Sequence, residues 1–69
     1  MLVDYKGRTL TLGRRVRVEQ DIPSADGMLY KHTIVKLNEL NIDTKKIQVQ
    51  DRSGKLWWVE PTQVSCSFL

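Results

Sequence analysis

Two side chains of this 69-residue sequence could together act as a nucleophile and its base: Cys66 and His32, the single cysteine and the single histidine. Attack by a thiolate needs the imidazole within hydrogen-bond reach of the sulfur, and no local pattern brings the two together. A closed structural zinc site needs four cysteine or histidine ligands, and the chain has one of each. We therefore expect Cys66 to be an ordinary thiol, and we expect no metal and no cofactor.

The eight carboxylates are scattered along the chain and form no paired acidic motif. Acid–base catalysis requires a titratable group within hydrogen-bond reach of the proton that it moves, usually beside a second group with a complementary role. A glycine-rich phosphate loop is also missing from the sequence. This residue inventory predicts a protein that is not an enzyme.

The positive charge is concentrated near the N-terminus. The net charge is +3, and residues 1–19 hold five cationic side chains against two acidic ones, whereas residues 20–69 are balanced. Arg15 and Arg17 stand at alternate positions of a strand pattern, so both side chains should face solvent. A basic strip attracts phosphates or an acidic protein face, but it also suits a soluble outer surface, and both interpretations stay open.

Trp57 and Trp58 are neighbours, and in a strand their side chains must point to opposite faces. Trp57 shares its side with Val59, which favours the core for Trp57. Trp58 must then lie near the surface, either covered by residues 1–12 or exposed to a partner. Tryptophan is enriched at the energetic centres of protein interfaces, which makes an exposed Trp58 a candidate contact residue.

Alternation of apolar and polar residues predicts strands in the first third of the chain. The clearest is Arg14–Glu19, and Arg8–Leu12 forms a second with Leu10 and Leu12 on one side. Gln20–Gly27 is rich in turn-forming residues and is predicted to be a loop.

The stretch from residue 28 to 40 has two interpretations. Some of its apolar residues recur at helical spacing, but Thr33, Ile34 and Val35 are β-branched and lose side-chain freedom in a helix. We favour a strand over Leu29–Leu37, followed by a loop over Asn38–Thr44.

A tight hairpin is the clearest element of the second half. Lys45–Gln50 and Lys55–Val59 alternate as strands around the turn Asp51–Gly54, where glycine supplies a left-handed backbone. Pro61 cannot donate to a ladder, so one turn of 3₁₀ helix is expected at residues 60–63. Val64–Phe68 completes the pattern as a short final strand.

The order of these elements resembles the Src-homology-3-like small β-barrels. The segments that carry the resemblance are RRVRV, QDIPSADG, LYKHTIVKL, KIQVQ-DRSG-KLWWV and EPTQV-SCS. The resemblance is one of strand order and spacing, so it implies a fold and transfers no binding residue. It implies an all-β protein with a single domain over residues 1–69: a five- to six-stranded barrel over residues 13–67, with residues 1–12 as an added N-terminal strand or hairpin.

Closure of such a barrel would bury one set of alternating residues together: Val16, Val18, Val35, Leu37, Ile47, Val49, Trp57, Val59 and Val64. A chain this short gains little more from burial than it loses in conformational entropy, and open sheet edges invite pairing with other chains. A homodimer is therefore a reasonable expectation.

These features together predict a small, non-enzymatic intracellular module that docks onto another protein or a larger assembly. It would act through shape, an apolar contact and a basic rim. The alternative is a nucleic-acid-binding small barrel that uses the basic N-terminal strip, with aromatic rings stacked on bases. The candidate contact residues are Trp58, Tyr30, Arg15, Arg17 and Arg52.

The sequence also predicts a cytoplasmic location and no membrane partner. Its first residues lack the apolar stretch of a signal peptide, and no apolar run approaches the roughly 20 residues that a membrane helix needs. A single cysteine cannot form a disulfide within the chain, which favours a reducing compartment.

Overall fold

The chain folds into β-strands joined by turns in the part that a computed structural model describes, residues 2–25 and 27–66. One turn of 3₁₀ helix interrupts them, and the described residues contain no α-helix. The elements in chain order are β1 (Arg15–Val18), β2 (Ile22–Ser24), β3 (Gly27–Leu29), β4 (Ile34–Asn41), β5 (Lys46–Gln50), β6 (Leu56–Val59), the 3₁₀ helix (Pro61–Gln63) and β7 (Val64–Ser65).

The strands form two antiparallel sheets. The larger has five strands in the order β6-β5-β4-β1-β7, and the smaller is the ribbon β2-β3. The long strand β4 pairs with β1 through its first half and with β5 through most of its length. The all-β prediction is confirmed, but the ladders between the described strands do not join the two sheets into one closed barrel.

Side chains from both sheets build one core. All nine residues predicted to be buried together are buried, and Leu10, Ile22 and Leu29 join them. Strict alternation in β1, β5 and β6 accounts for six of the twelve core residues, because successive side chains of a strand point to opposite faces. These strands therefore present a second set of side chains to solvent.

The predicted strand Arg8–Leu12 is wrong. No named strand forms there: a bridge between Val3 and Thr9, flanked by the bonds Asp4 N–H to Arg8 carbonyl at 2.8 Å and Leu10 N–H to Leu2 carbonyl at 3.2 Å, pairs residues 8–10 with residues 2–4 as a short hairpin, and Leu12 is 57% exposed. The chain turns at Leu12 and Gly13, and Gly13 has a φ of 84°, which an L-residue rarely adopts. A turn on each side leaves too few residues for a ladder.

The loop prediction for Gln20–Gly27 is also wrong, because this segment supplies β2 and the first residue of β3. Ile22 pairs with Leu29, and both side chains are buried. Pro23 stands inside β2, which is tolerated because each strand of an isolated ribbon is an edge strand.

A strand rather than a helix follows the ribbon, as favoured, but its bounds are shifted. A turn at Lys31 and His32 separates β3 from β4, and His32 has a φ of 76°. β4 then continues to Asn41, so the predicted loop over residues 38–44 is wrong in its first half. A β-bulge between Leu37 and Glu39 inserts one extra residue, which breaks the alternation without ending the strand.

The predicted hairpin and helical turn are confirmed. β5 and β6 pair around the turn at Asp51–Gly54. The 3₁₀ helix Pro61–Gln63 follows, and the final strand is Val64–Ser65. The remainder of the predicted last strand includes Ser67 and Phe68, which lie outside the described residues.

The N-terminal segment covers the outer edge of β7. The Tyr5 N–H donates to the Val64 carbonyl at 2.7 Å. The Asp4 carboxylate is 1% exposed and accepts three backbone N–H bonds, so it holds the segment in place. The donors are Lys6 at 2.9 Å, Arg8 at 2.8 Å and Cys66 at 2.7 Å.

Candidate interaction surface

The solvent side of the five-stranded sheet, called here the outer face, carries most of the predicted contact residues. It consists of the side chains that alternation directs away from the core. Cross-strand register arranges them in rows, one of which runs through Leu56, Gln50, Lys36 and Arg15. Apolar groups therefore lie on β6 at one side of the outer face and cationic groups lie on β4 and β1 at the other.

Trp57 fixes β6 from the inside. Its indole is 7% exposed, and its Nε1–H donates to Asp51 Oδ2 at 3.0 Å. The Lys55 ammonium lies 4.2 Å from the centre of its ring, a cation–π contact. Because this ring is held in the core, the next side chain along the strand must point outward.

Asp51 organises the turn between β5 and β6. Its Oδ1 accepts bonds from the Ser53 hydroxyl at 2.7 Å, the Ser53 N–H at 2.9 Å and the Lys55 N–H at 3.0 Å. The Ser53 hydroxyl and then the Trp57 indole, which favour the charged carboxylate, lower the pKa of Asp51 to about 2 despite a smaller opposing effect of burial. The carboxylate is thus a structural group.

Trp58 is the exposed aromatic residue of the outer face. It is 49% exposed, Leu56 beside it is 48% exposed, and both project from the same side of β6. Trp58 lies opposite Gln48, which is half-buried. The alternative that residues 1–12 cover Trp58 does not fit this exposure.

The cationic side of the outer face surrounds a shallow recess of about 500 Å³. Arg15 lies directly opposite Lys36, and both are exposed. Like charges in direct cross-strand positions repel each other. Arg52, from the turn after β5, lines the same recess, as does Asp51, so three cations and one carboxylate surround it.

Arg17 and Tyr30 have different surroundings from those the sequence suggested. Arg17 forms an ion pair with Glu19 at 3.2 Å, which partly neutralises the charge of the guanidinium. Tyr30 is 64% exposed and lies beside a second recess of about 300 Å³, lined also by Met28, Arg52 and the inward Trp57. Tyr30 therefore does not share the outer face with Trp58.

Lys36 and Leu56 were not among the predicted contact residues, although both belong to the outer face. Alternation already placed Leu56 beside Trp58, so the signal for it was present. The pairing of Lys36 with Arg15 depends on the register between β1 and β4, and a single sequence does not show that register.

Cys66 is poorly suited to nucleophilic chemistry. Burial, followed by the nearby charge of Asp4, raises the pKa of its thiol, and a protonated thiol is a weak nucleophile. Its Sγ lies 3.9 Å from the Thr9 carbonyl. Within residues 2–25 and 27–66, no group of three or more histidine, cysteine or acidic side chains could hold a metal ion.

Comparison with known proteins returns no match: no family model, no curated protein and no solved structure is significantly similar to this chain. The part of the chain that the structure describes also has no helix long and apolar enough to cross a membrane. Any functional conclusion therefore rests on the geometry of the chain itself.

Proposed function

We propose that the two sheets together form a Src-homology-3-like small barrel. The strand order β6-β5-β4-β1-β7, the ribbon inserted between β1 and β4, and the 3₁₀ turn between β6 and β7 support this assignment. The twelve-residue core drawn from both sheets adds support. The assignment concerns architecture only, since folds of this kind serve many functions.

We further propose that the protein is a non-enzymatic, cytoplasmic interaction module whose outer face docks onto another protein or a larger assembly. The observation that carries this proposal is the half-exposed Trp58 on a strand whose neighbouring residue, Trp57, is locked into the core. A rigid strand presents the indole with little entropic cost on binding. Rigid aromatic side chains that fill a partner's pocket contribute most of the affinity of many interfaces.

The apolar contribution expected from Trp58 is that of one interface hot-spot residue. Roughly half of the surface of Trp58 remains accessible, which corresponds to about 100 Å² for a side chain of this size. Its burial would contribute about 2–3 kcal/mol at about 25 cal/mol per Å². Leu56 extends this apolar area along the same strand.

The basic side of the outer face indicates the character of the partner. Arg15, Lys36 and Arg52 surround the recess described above, and the ion pairs of the described residues are formed by other side chains. An acidic surface with an apolar pocket would complement both parts of the outer face. Such charge complementarity mainly accelerates association and selects among partners.

The test is a quantitative pull-down with a matched control. Trp58→Ala should lower affinity for the captured protein about 30-fold or more, the level of an interface hot spot. Ile42→Ala removes an apolar side chain that is also exposed, 57%, but lies in the turn between β4 and β5. It should leave binding unchanged, and equal binding by the two variants would refute docking through Trp58.

A second candidate is nucleic-acid binding, favoured by the three cations around the recess. Phosphate contacts make affinity fall steeply with salt, whereas apolar docking is nearly insensitive to it. Fluorescence anisotropy with a labelled single-stranded oligonucleotide at several salt concentrations separates the two. For this candidate, the Arg15→Ala and Lys36→Ala double variant should abolish binding; Arg17, paired with Glu19, should matter less.

A further inference from the structure

The two edges of the five-stranded sheet differ in whether another segment of the chain covers them. The edge at β7 is covered by the N-terminal segment through the Tyr5 to Val64 bond and the Asp4 carboxylate. The edge at β6 pairs only with β5 among the described strands. Proteins that keep an edge strand unpaired usually place lysine, proline or a bulge within it, and Leu56–Val59 contains none of these.

The ladder between β5 and β6 determines which backbone groups of β6 are unpaired. The Asp51 N–H donates to the Lys55 carbonyl at 3.0 Å, so these two residues form a hydrogen-bonded pair. Antiparallel ladders alternate between bonded and non-bonded pairs. The N–H and C=O groups of Trp57 and Val59 therefore point to β5, whereas those of Leu56 and Trp58 point away from the sheet.

Both ends of this open edge are closed by local bonds. The Glu60 N–H donates to Gln63 Oε1 at 2.8 Å, and the Glu60 carbonyl accepts from the Gln63 N–H at 3.0 Å. At the other end, the Gly54 N–H donates to the Asp51 carbonyl at 3.0 Å. Within the described residues, the outward-facing groups of Leu56 and Trp58 are thus the ones left for an added strand.

We propose that β6 pairs edge to edge with β6 of a second copy of this chain, about a two-fold axis at Trp57. A two-fold antiparallel register places each outward residue opposite another. In the register that places Leu56 opposite Trp58 of the second copy, two residue pairs each form two backbone hydrogen bonds, four in total. In the registers that place Leu56 or Trp58 opposite its own copy, only one pair forms, with two bonds. The first register is therefore preferred, and it makes the interface isologous.

Side chains also fit this register. Leu56 and Trp58 project from the same side of β6, so each Trp58 meets Leu56 of the second copy on a shared ten-stranded outer face. Aromatic and aliphatic cross-strand pairs of this kind are favourable. Lys55 stands opposite Val59 in the next pair, so no like charges oppose each other. The contact is small compared with stable interfaces, so dimerisation should be weak and concentration-dependent.

The first experiment uses the unmodified protein with a reducing agent, which prevents a disulfide through Cys66. Sedimentation equilibrium should show the dimer fraction rising with protein concentration. Amide hydrogen exchange should slow at Leu56 and Trp58 over the same range, and exchange at Ile42 should not change. A chain that remains monomeric at millimolar concentration, or a dimer in which both amides exchange at the monomer rate, would overturn the proposal.

A matched pair of variants isolates the backbone bonds. Leu56→Pro removes an N–H that points away from β5, a position where proline is tolerated in an edge strand, and Leu56→Ala keeps that N–H. Two bonds are lost per dimer, so Leu56→Pro should dimerise about tenfold more weakly than Leu56→Ala. Equal dimerisation of the two would contradict the pairing. If Leu56→Pro fails to fold by circular dichroism, the amide exchange of the unmodified protein decides.

The dimer contact and the docking surface share Leu56 and Trp58, so a residue outside the dimer contact separates the two proposals. Arg15 lies on β1, three strands away from the β6 edge. Arg15→Ala should weaken binding of an acidic partner and leave the monomer–dimer equilibrium unchanged. Failure of one proposal therefore does not imply failure of the other.

Discussion

The indole N–H of Trp57 donates to the Asp51 carboxylate at 3.0 Å, which ties the core to the turn that joins β5 and β6. The same carboxylate accepts three bonds from Ser53 and Lys55 within the turn. One side chain thus sets the turn, orients the buried tryptophan and, by holding Trp57 inward, determines that Trp58 faces solvent.

Substitution of Asp51 should destabilise the protein. Asp51→Asn retains the shape of the side chain but removes the charge, and one of its two accepting oxygens becomes a donor. We expect a loss of about 1–3 kcal/mol in the free energy of unfolding, measured by urea denaturation. Asp43→Asn, in the exposed turn between β4 and β5, is the control and should change stability little.

The stability of the protein should fall in acid. The pKa of Asp51 is lowered from 3.8 to about 2, and that of Asp4 is also lowered, because backbone N–H bonds outweigh the opposing effect of its burial. A carboxyl group whose pKa is lower in the folded state stabilises the fold fully at pH values above its pKa in the unfolded state. That stabilisation is lost as the pH falls through its pKa in the folded state. Unfolding free energy should therefore be constant near neutral pH and decline from about pH 4 to about pH 2. Asp51→Asn should make this decline shallower, and an unchanged slope would contradict the assignment.

Asp4 should be required for attachment of the N-terminal segment. Asp4→Ala leaves three backbone N–H groups without their acceptor, for an expected loss of about 2–4 kcal/mol. Hydrogen exchange of the Cys66 amide, which donates to Asp4 at 2.7 Å, should become faster. Tyr5→Ala is the control: its side chain is 62% exposed, so stability should change little.

Relief of backbone strain should stabilise the turn between β4 and β5. Lys45 has a φ of 57°, a conformation that costs an L-residue about 1–2 kcal/mol. Lys45→Gly should raise the unfolding free energy by about 0.5–1 kcal/mol. Lys46→Gly, at the first position of β5, should instead lower it, since that residue is in a strand and its ammonium pairs with Glu60 at 3.0 Å. A loss of stability in Lys45→Gly would contradict this view of the turn.

Charge reversal should reveal the repulsion on the outer face. Lys36→Glu places an acidic side chain directly opposite Arg15 and should stabilise the fold by about 0.5 kcal/mol at low salt. Added salt should reduce the gain. The same change should weaken docking of an acidic partner. A variant that is less stable than the unmodified protein at low salt would argue against direct opposition of the two cations.

Local patterns in the sequence determined the strand content, the hairpin β5-β6, the nine predicted core residues and the outward direction of Trp58. Each depends on alternation or on turn-forming residues within about ten positions. Such local patterns predict strands and hairpins because successive side chains of a pleated strand point to opposite faces. The errors arose where alternation stops or misleads. Residues 8–12 alternate, but residues 8–10 pair with residues 2–4 through a single bridge and the chain turns at Leu12. The bulge at residues 37–39 breaks the alternation inside a strand.

Only the tertiary structure decided which distant residues meet. The register between β1 and β4 places Arg15 against Lys36, and the fold brings Asp4 to the amide of Cys66, 62 positions away along the chain. It also covers one edge of the sheet and leaves β6 open. Register and edge coverage depend on pairing between segments far apart in the chain, and the free energy of that pairing belongs to the assembled sheet rather than to either segment.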